Sequence, residues 1–324
     1  MQRAFLFLVF LVVFSCEDNP KNTVSFYFWR TEFKLSTKEE QVLKDNKVAK
    51  LYVRYFDVAL QNNIPFPVKP IHFEKKAIQQ KIIPTIFIKN EVFLSENTDL
   101  EKLSSNILKL INQINLANKI SNSEIQIDCD WSLQSRDKYM AFLKLLKAKY
   151  GKTLSATIRL HQVKYFEKTK VPPVDYGVLM LYNIGSVNAK GEKAIYDKKI
   201  ALQYLPYLEK YPLKIKTALP IFSWLVHTRK DQVVQIISKK NINDYQNKIN
   251  FDIDYPKHVV TKSGIAFGDF YKKDDILFEE TISPDDIEEM KRLIHKYSKH
   301  SQTEFIYYDL DQKNLNKHKN EYNF

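Results

Sequence analysis

The stretch Ile125-Gln-Ile-Asp-Cys-Asp-Trp131 decides the fold that we predict for this chain. Its apolar lead-in indicates a buried β-strand, and the helical pattern of residues 136–150 follows directly. Because side chains alternate along a strand, Asp128 and Asp130 are expected on the same face of a sheet. Ligands of α/β proteins bind where a parallel strand passes into a loop and a helix, so the two carboxylates mark a candidate site. The alternative is that one aspartate caps the helix or pairs with a lysine.

Apolar runs rich in Val, Ile, Phe and Tyr recur along the chain, and helical or polar segments separate most of them. The eight predicted strands are Val24–Arg30, Lys50–Phe56, Ile82–Ile88, Glu124–Asp130, Thr153–Arg159, Tyr176–Tyr182, Leu213–Pro220 and Glu304–Leu310. The clearest predicted helices are Thr37–Asp45, Asp99–Leu116, Arg136–Tyr150, Ala194–Lys210 and Ser283–Ser298. This alternation predicts an α/β fold, a single-domain (β/α)8 TIM barrel over residues 24–311. Two regions do not follow this alternation of strands and helices. One is the proline-rich segment after Leu60, which is expected to be a loop, and the other is the long segment from Val226 to Asp275.

The N-terminal residues 1–16 have the pattern of a secretory signal, with Arg3 before an apolar run too short to span a bilayer. The run ends in Val13-Phe14-Ser15-Cys16, which resembles the lipobox of bacterial lipoproteins. This resemblance implies a lipidated Cys16, a tether over residues 17–23 and a location in the bacterial cell envelope, as an outer-membrane lipoprotein. An ordinary signal peptide cleaved nearby is the alternative. Residues 312–324 are predicted to be a polar tail.

The amino-acid composition argues against a disulfide, a nucleic-acid partner and a nucleotide cofactor. With Cys16 assigned, only Cys129 remains, so an internal disulfide is not possible and a hydrophobic core must stabilise the domain. The net charge is +12, but the lysines are spread along the whole chain, which is typical of a solvated surface and predicts no nucleic-acid partner. Six glycines and the absence of a GxGxxG or P-loop pattern argue against a nucleotide cofactor. We predict no cofactor, no metal site and a monomer.

In a barrel, the ends of the eight strands share one mouth, and polar or aromatic residues gather there in this sequence. Aromatic rings can pack on sugar rings while carboxylates bind hydroxyl groups, so the set suits a carbohydrate. The predicted catalytic residues are Asp128 and Asp130. The predicted substrate-binding residues are Glu32, Arg54, Asp57, Trp131, Arg159, Tyr182, Asn183 and Trp224.

Three segments resemble the chitinase-like barrels of glycoside hydrolase family 18. Ile127-Asp-Cys-Asp-Trp-Ser132 is similar to the end of their strand-four Asp-x-x-Asp-x-Asp-x-Glu signature. Leu179-Met-Leu-Tyr-Asn183 is similar to their Met-x-Tyr-Asp on strand six, and Thr217-Ala-Leu-Pro-Ile-Phe222 to their Leu-Pro-Phe-Tyr on strand seven. The chain also resembles the bacterial barrel family called domain of unknown function 3142, whose members carry an Ile-Asp-x-Asp strand. Both resemblances imply a TIM barrel, and the first implies action on a glycan.

The chain departs from the chitinase pattern at its catalytic position. The final Glu of that signature is the general acid, and Ser132 stands there instead. Its first Asp is Ile125, and Asn183 replaces the Asp on strand six. Two hypotheses follow. The protein is either a glycosidase-like enzyme, with Asp130 as acid/base and Asp128 as its ionised partner and with Asp57 and Glu32 as the next candidates for the acid, or a glycan-binding lipoprotein that has lost the acid.

Overall fold

The computed structural model describes residues 23–74, 78–299 and 304–317. Eight parallel strands form its central barrel: β1 (Thr23–Phe28), β2 (Lys50–Gln61), β3 (Lys81–Ile88), β4 (Glu124–Asp128), β5 (Thr153–Ile158), β6 (Tyr176–Met180), β7 (Ile215–Pro220) and β8 (Glu304–Tyr308). Each strand pairs with the next in chain order, and β1 pairs with both β2 and β8. The ring is therefore closed, and the predicted (β/α)8 barrel is confirmed.

Four longer helices pack outside the barrel: α1 (Thr37–Asp45), α2 (Leu100–Asn118), α3 (Arg136–Tyr150) and α4 (Pro284–Tyr297). The predicted start of α4 is correct: Ser283 accepts a hydrogen bond from the Asp286 backbone N–H, and the Asp286 carboxylate accepts one from Ser283. Shorter α-helices are Glu91–Leu94, Leu160–Lys164, Phe166–Thr169, Lys198–Leu202 and Gln312–Lys317, and 3-10 helices are Leu205–Lys210 and Ile242–Tyr245. The continuous helix predicted over Ala194–Lys210 is wrong, because Pro206 has no backbone N–H and the chain there forms two short pieces.

The long excursion between β7 and β8 forms an antiparallel sheet beside the barrel. Its five strands are Trp224–Arg229, Gln232–Ser238, Asn250–Asp254, Lys257–Lys262 and Ile276–Glu280, and the strands Gly264–Ala266 and Asp269–Tyr271 add a hairpin. This inserted sheet has a core of its own that includes Leu225, Tyr245, Tyr271 and Leu277. The segment is therefore folded structure rather than a connecting loop.

The proline-rich segment after Leu60 also forms structure. Ile64–Val68 pairs antiparallel with the end of β2, at the outer edge of the sheet. An edge strand tolerates proline because its outer N–H groups need no partner strand, so Pro65 and Pro67 do not prevent pairing. A separate small sheet joins Glu32–Phe33 to His72–Phe73.

The barrel interior is polar at its N-terminal end. Glu304 accepts a hydrogen bond from Ser25 Oγ at 2.6 Å. Its carboxylate also forms ion pairs with Lys50 Nζ at 2.6 Å and Lys216 Nζ at 3.0 Å, although its side chain is only 7% exposed. Burial opposes ionisation of Glu304, but the two ammonium groups overcome that penalty and lower its pKa. Burial lowers the pKa of Lys216 to about 8. The ionised form of Glu304 therefore depends on the two lysines, and the charge of Lys216 is favoured by Glu304.

The folded part of the chain continues past Asp311. Gln312–Lys317 is a short helix, and its Leu315 is buried. The start of the predicted polar tail therefore belongs to the domain. Residues 1–22, which include the predicted signal, the lipidated Cys16 and most of the tether, lie outside the described residues, as do residues 318–324. Among the described helices, none combines the length and the apolar character that crossing a bilayer requires.

Candidate functional site

Asp128 is the last residue of β4, and its side chain lies at the centre of the barrel mouth. The residue is 8% exposed, and Thr157 Oγ1 donates a hydrogen bond to Asp128 Oδ1 at 2.7 Å. Burial raises the pKa of Asp128 to about 6; the Thr157 hydrogen bond opposes that rise, and Asp130 and Asp57 add to it. A carboxyl group with this pKa can donate a proton near neutral pH, which an ordinary aspartate does poorly.

Asp130, two residues further along, has a different environment. Its side chain is 51% exposed, and its Oδ1 lies 2.6 Å from Arg159 Nε and 2.5 Å from Arg159 Nη2. The structure therefore brings together the three residues Asp128, Asp130 and Arg159, as the sequence predicted. The acid/base role was predicted for Asp130, but the buried carboxyl with the raised pKa is Asp128, and Asp130 is exposed and paired with Arg159.

A second ion pair lies within β2. Arg54 Nε donates to Asp57 Oδ1 at 2.7 Å, and Arg54 Nη2 lies 2.6 Å from Asp57 Oδ2, so the contact is bidentate. Arg54 is 5% exposed. The charge of Asp57 contributes to the raised pKa of Asp128, and that of Arg54 acts on Tyr308. This pair therefore borders the same mouth and holds both side chains in fixed positions.

Aromatic rings form one wall of the mouth. Tyr182 stacks on Tyr308, with ring centroids 5.1 Å apart, and Phe222 lies edge-on to both at 5.9 Å. Tyr27 and Trp29 complete the group, each 5.7 Å from Tyr308. Burial raises the pKa of Tyr182 and Tyr308 well above the usual value, so both hydroxyl groups stay protonated. Tyr308 was not among the predicted site residues, although it lies near the carboxyl end of the predicted strand Glu304–Leu310.

Trp224 extends this aromatic wall onto the inserted sheet. Its ring lies 5.6 Å from Phe222, and its Nε1 donates a hydrogen bond to Glu280 Oε2 at 2.9 Å. Glu280 Oε1 also accepts hydrogen bonds from the backbone N–H groups of Ala194 and Ile195, at 2.8 and 2.6 Å. One half-buried carboxylate thus connects the inserted sheet, the Trp224 indole and the loop that follows β6.

Trp131 is placed differently from the prediction. Trp131 is 3% exposed and stacks on Tyr139 of α3, so it packs the core rather than the mouth. The strand ends at Asp128, three residues before Trp131, and the apolar indole is buried against the helix that follows. Glu32 is exposed on its short separate strand, and Asn183 is exposed just after Tyr182.

Ser132, at the position of the chitinase acid, belongs to a small hydrogen-bond cluster. Its backbone N–H donates to Ser135 Oγ at 2.9 Å, and Asn90 Nδ2 donates to Ser132 Oγ at 3.3 Å. Ser135 Oγ in turn donates to Asn90 Oδ1 at 2.5 Å. The cluster joins the segment after β4 to the segment after β3. Ser132 thus helps to shape the mouth and carries no group that could act as a general acid.

The mouth as a whole combines a protonatable buried carboxyl, two arginine–aspartate pairs and an aromatic wall. Such an arrangement can hold an uncharged, hydroxyl-rich ligand against the rings and present Asp128 to one of its oxygens. Among the described residues, no group of three or more His, Cys, Asp or Glu side chains could hold a metal ion.

No protein-family model matches the chain, and no curated protein is similar to it. Solved structures do match over most of its length. A chitinase from Bacteroides thetaiotaomicron has a TM-score of 0.55 and 12% identity, covering 91% of this chain and 93% of its own. The Bacillus cereus spore cortex-lytic enzyme SleL has a TM-score of 0.53 and 15% identity, covering 89% and 71%. A family 18 chitinase variant from Cycas revoluta, in complex with (GlcNAc)4, has a TM-score of 0.51 and 9% identity, covering 91% and 96%. At these identities the similarity shows that the chain shares the TIM-barrel fold of these proteins.

Proposed function

We propose that this protein is a glycoside-hydrolase-like TIM barrel of the cell envelope that acts on a glycan through its mouth carboxylates. The observation that carries the proposal is the buried Asp128, whose pKa burial raises to about 6, next to the Asp130–Arg159 ion pair. The family resemblance of the strand-four, strand-six and strand-seven segments supports the same reading.

In the proposed reaction Asp128, in its protonated form, donates its proton to the glycosidic oxygen as the bond to the sugar carbon breaks. Positive charge develops on that sugar, and the Asp130 carboxylate stabilises it. Water supplies the hydroxyl group that completes the hydrolysis, and its released proton restores Asp128. The rings of Tyr182 and Tyr308 hold the sugar in place. Because Asp128 must carry a proton, turnover is expected to fall as the pH rises above about 6.

The test is turnover of a glycan panel by the purified full chain. The panel includes N-acetylglucosamine oligomers, since one structural neighbour was solved with (GlcNAc)4, and peptidoglycan fragments, since another is a spore cortex-lytic enzyme. Release of reducing ends from any member supports the enzyme. If the chain binds a member and no product forms at any pH between 4 and 8, a range that brackets the pKa of Asp128, the enzyme proposal fails.

A glycan-binding protein without catalysis is the second candidate. The observation that favours it is Ser132, which occupies the acid position and is engaged in hydrogen bonds with Asn90 and Ser135. In that case Asp128→Asn changes only the affinity for the glycan, and there is no turnover to lose. Measuring binding by calorimetry together with product release separates the two candidates.

We also propose that Cys16 is acylated and anchors the protein to the envelope, because the short apolar run and Ser15-Cys16 resemble a lipobox. Mass spectrometry of the protein from membranes is expected to find a diacylglyceryl group on an N-terminal Cys16. The Cys16→Ser change is expected to abolish acylation and to leave the protein unprocessed or in the soluble fraction. An unmodified N-terminus at another residue would contradict this prediction.

A further inference from the structure

The N-terminal face of the barrel, where helices and loops lead into the strands, is rich in lysine. Its exposed lysines include Lys44 and Lys47 before β2, Lys119 before β4, Lys152 before β5, Lys214 before β7 and Lys299 before β8. Among the described residues that lead into the barrel strands, the exposed carboxylates are Asp45, Asp175 and Glu209. Asp175 already pairs with Lys147, at 2.9 Å. The lysines therefore outnumber the carboxylates on this face.

At the opposite end of the barrel, around the mouth, several cations pair with carboxylates. Arg54 pairs with Asp57 and Arg159 pairs with Asp130. Lys239, from the inserted sheet, lies 2.7 Å from Asp311. Because parallel strands bring all of their first residues to one end, the unbalanced positive charge of the barrel collects on the N-terminal face. A field of one sign over one face attracts an extended surface of the opposite sign.

The start of the chain leads to the same face. Thr23 is the first residue of β1, which lies between β8 and β2. Cys16 lies seven residues before Thr23. Even a fully extended chain covers only about 3.5 Å per residue, so an anchor at Cys16 holds β1 within roughly 25 Å of the bilayer. The lysines before β2 and β8 flank this point of entry.

We propose that the N-terminal face docks on anionic lipid headgroups, so that the mouth points away from the membrane. This proposal rests on the proposed function in one respect: the lipid anchor at Cys16 keeps the N-terminal face close to the bilayer. The lysines provide the affinity of that face for anionic headgroups. Each lysine close to an anionic membrane surface contributes roughly a fivefold factor in binding. Docking by several of them fixes the orientation of the domain, which a single lipid anchor with a short tether does not. The mouth is then presented to a glycan on the far side.

The test compares binding of the full chain to vesicles of phosphatidylcholine and to vesicles that also contain phosphatidylglycerol. The four-residue variant Lys44→Glu, Lys214→Glu, Lys296→Glu, Lys299→Glu changes exposed lysines around the entry of β1. Reversing them is expected to lower partitioning onto the anionic vesicles at low salt by about a hundredfold or more. The matched control changes four exposed lysines of the mouth loops and the inserted sheet, Lys190, Lys257, Lys262 and Lys272, to Glu, and is expected to bind like the parent chain.

Both sets are made in the Cys16→Ser chain, purified from the soluble fraction after signal cleavage, so that the lipid anchor and the basic face are tested separately. The Cys16→Ser parent is expected to bind anionic vesicles at low salt, to leave them at high salt and to ignore neutral vesicles. If acylation of Cys16 is not found but this salt-sensitive binding persists, the anchor proposal fails and the docking face stands. If Cys16 is acylated but the two lysine sets bind equally, the docking face is refuted and the anchor stands.

Orientation has its own readout in hydrogen exchange of the wild-type protein on anionic vesicles. Amides in residues 44–50 and 117–124, on the N-terminal face, are expected to exchange more slowly when the vesicles are present. Those in residues 129–135 and 181–197, at the mouth, are expected to exchange as in solution. Protection at the mouth instead would overturn the proposed orientation. Thermal unfolding of each variant checks that the charge changes leave the fold intact.

Discussion

Replacing Asp128 with asparagine is expected to lower glycan turnover by about a hundredfold or more while glycan affinity changes little. Asparagine keeps the size of the side chain and can still accept the hydrogen bond from Thr157, but it has no acidic proton to transfer to the leaving oxygen. The matched change Asp130→Asn removes a carboxylate that is half exposed and paired with Arg159, so a smaller loss is expected. Initial rates for both variants on the substrate found in the glycan panel measure the difference. Equal, small losses in both would place the chemistry elsewhere.

Asp128→Asn is also expected to change the pH dependence of the protein's stability, which can be measured without a substrate. The pKa of Asp128 in the folded protein, about 6, is above its ordinary value, so folding favours the protonated form. Asp128 therefore contributes to the free energy of unfolding at low pH, where it is protonated. This contribution, roughly 3 kcal/mol, is lost as the pH rises towards about 6. Asp128→Asn is expected to be the more stable protein above pH 6, and its denaturant midpoint should vary less with pH. A pH profile identical to that of the wild type would show that Asp128 is not buried as described.

Glu304→Gln is expected to destabilise the domain by about 3–5 kcal/mol at neutral pH. The change leaves Lys50 and Lys216 next to each other inside the barrel, with their shared carboxylate gone. A buried charge that has lost its partner costs far more than an exposed one, because the low-dielectric interior does not screen it. Chemical denaturation of both proteins gives the difference in free energy of unfolding.

The control for this prediction is Glu74→Gln, which breaks the exposed ion pair with Lys34. Exposed pairs contribute at most about 1 kcal/mol, so this variant should unfold close to the wild type. The pH dependence adds a second check. The pKa of Glu304 is lowered despite its burial, because Lys216 and Lys50 favour its charged form. Its stabilising effect is therefore lost as the pH falls through that lowered pKa, and the gap between wild type and Glu304→Gln should narrow in acid. A gap that is constant with pH would refute the ion-pair explanation.

The local patterns of the sequence were enough to predict the barrel and the position of its mouth. Strand and helix patterns are local, because alternation and apolar runs follow from neighbouring residues, and all eight predicted strands are present. Asp128 and Arg159 could be assigned to one mouth because parallel strands must bring their carboxyl ends together. The local pattern failed where a single residue interrupts it, as Pro206 does within the predicted helix Ala194–Lys210.

The environment of each side chain, by contrast, could not be predicted from the sequence. Asp128 and Asp130 look alike in sequence, but neighbours from other strands bury the first, while Arg159 pairs with the second in solvent. The burial of Trp131 against Tyr139, the addition of Tyr308 to the aromatic wall and the ion pairs of Glu304 with two distant lysines likewise depend on contacts between separate elements. The physical reason is that burial and charge pairing arise from residues that are far apart in the chain, and periodicity carries no information about them.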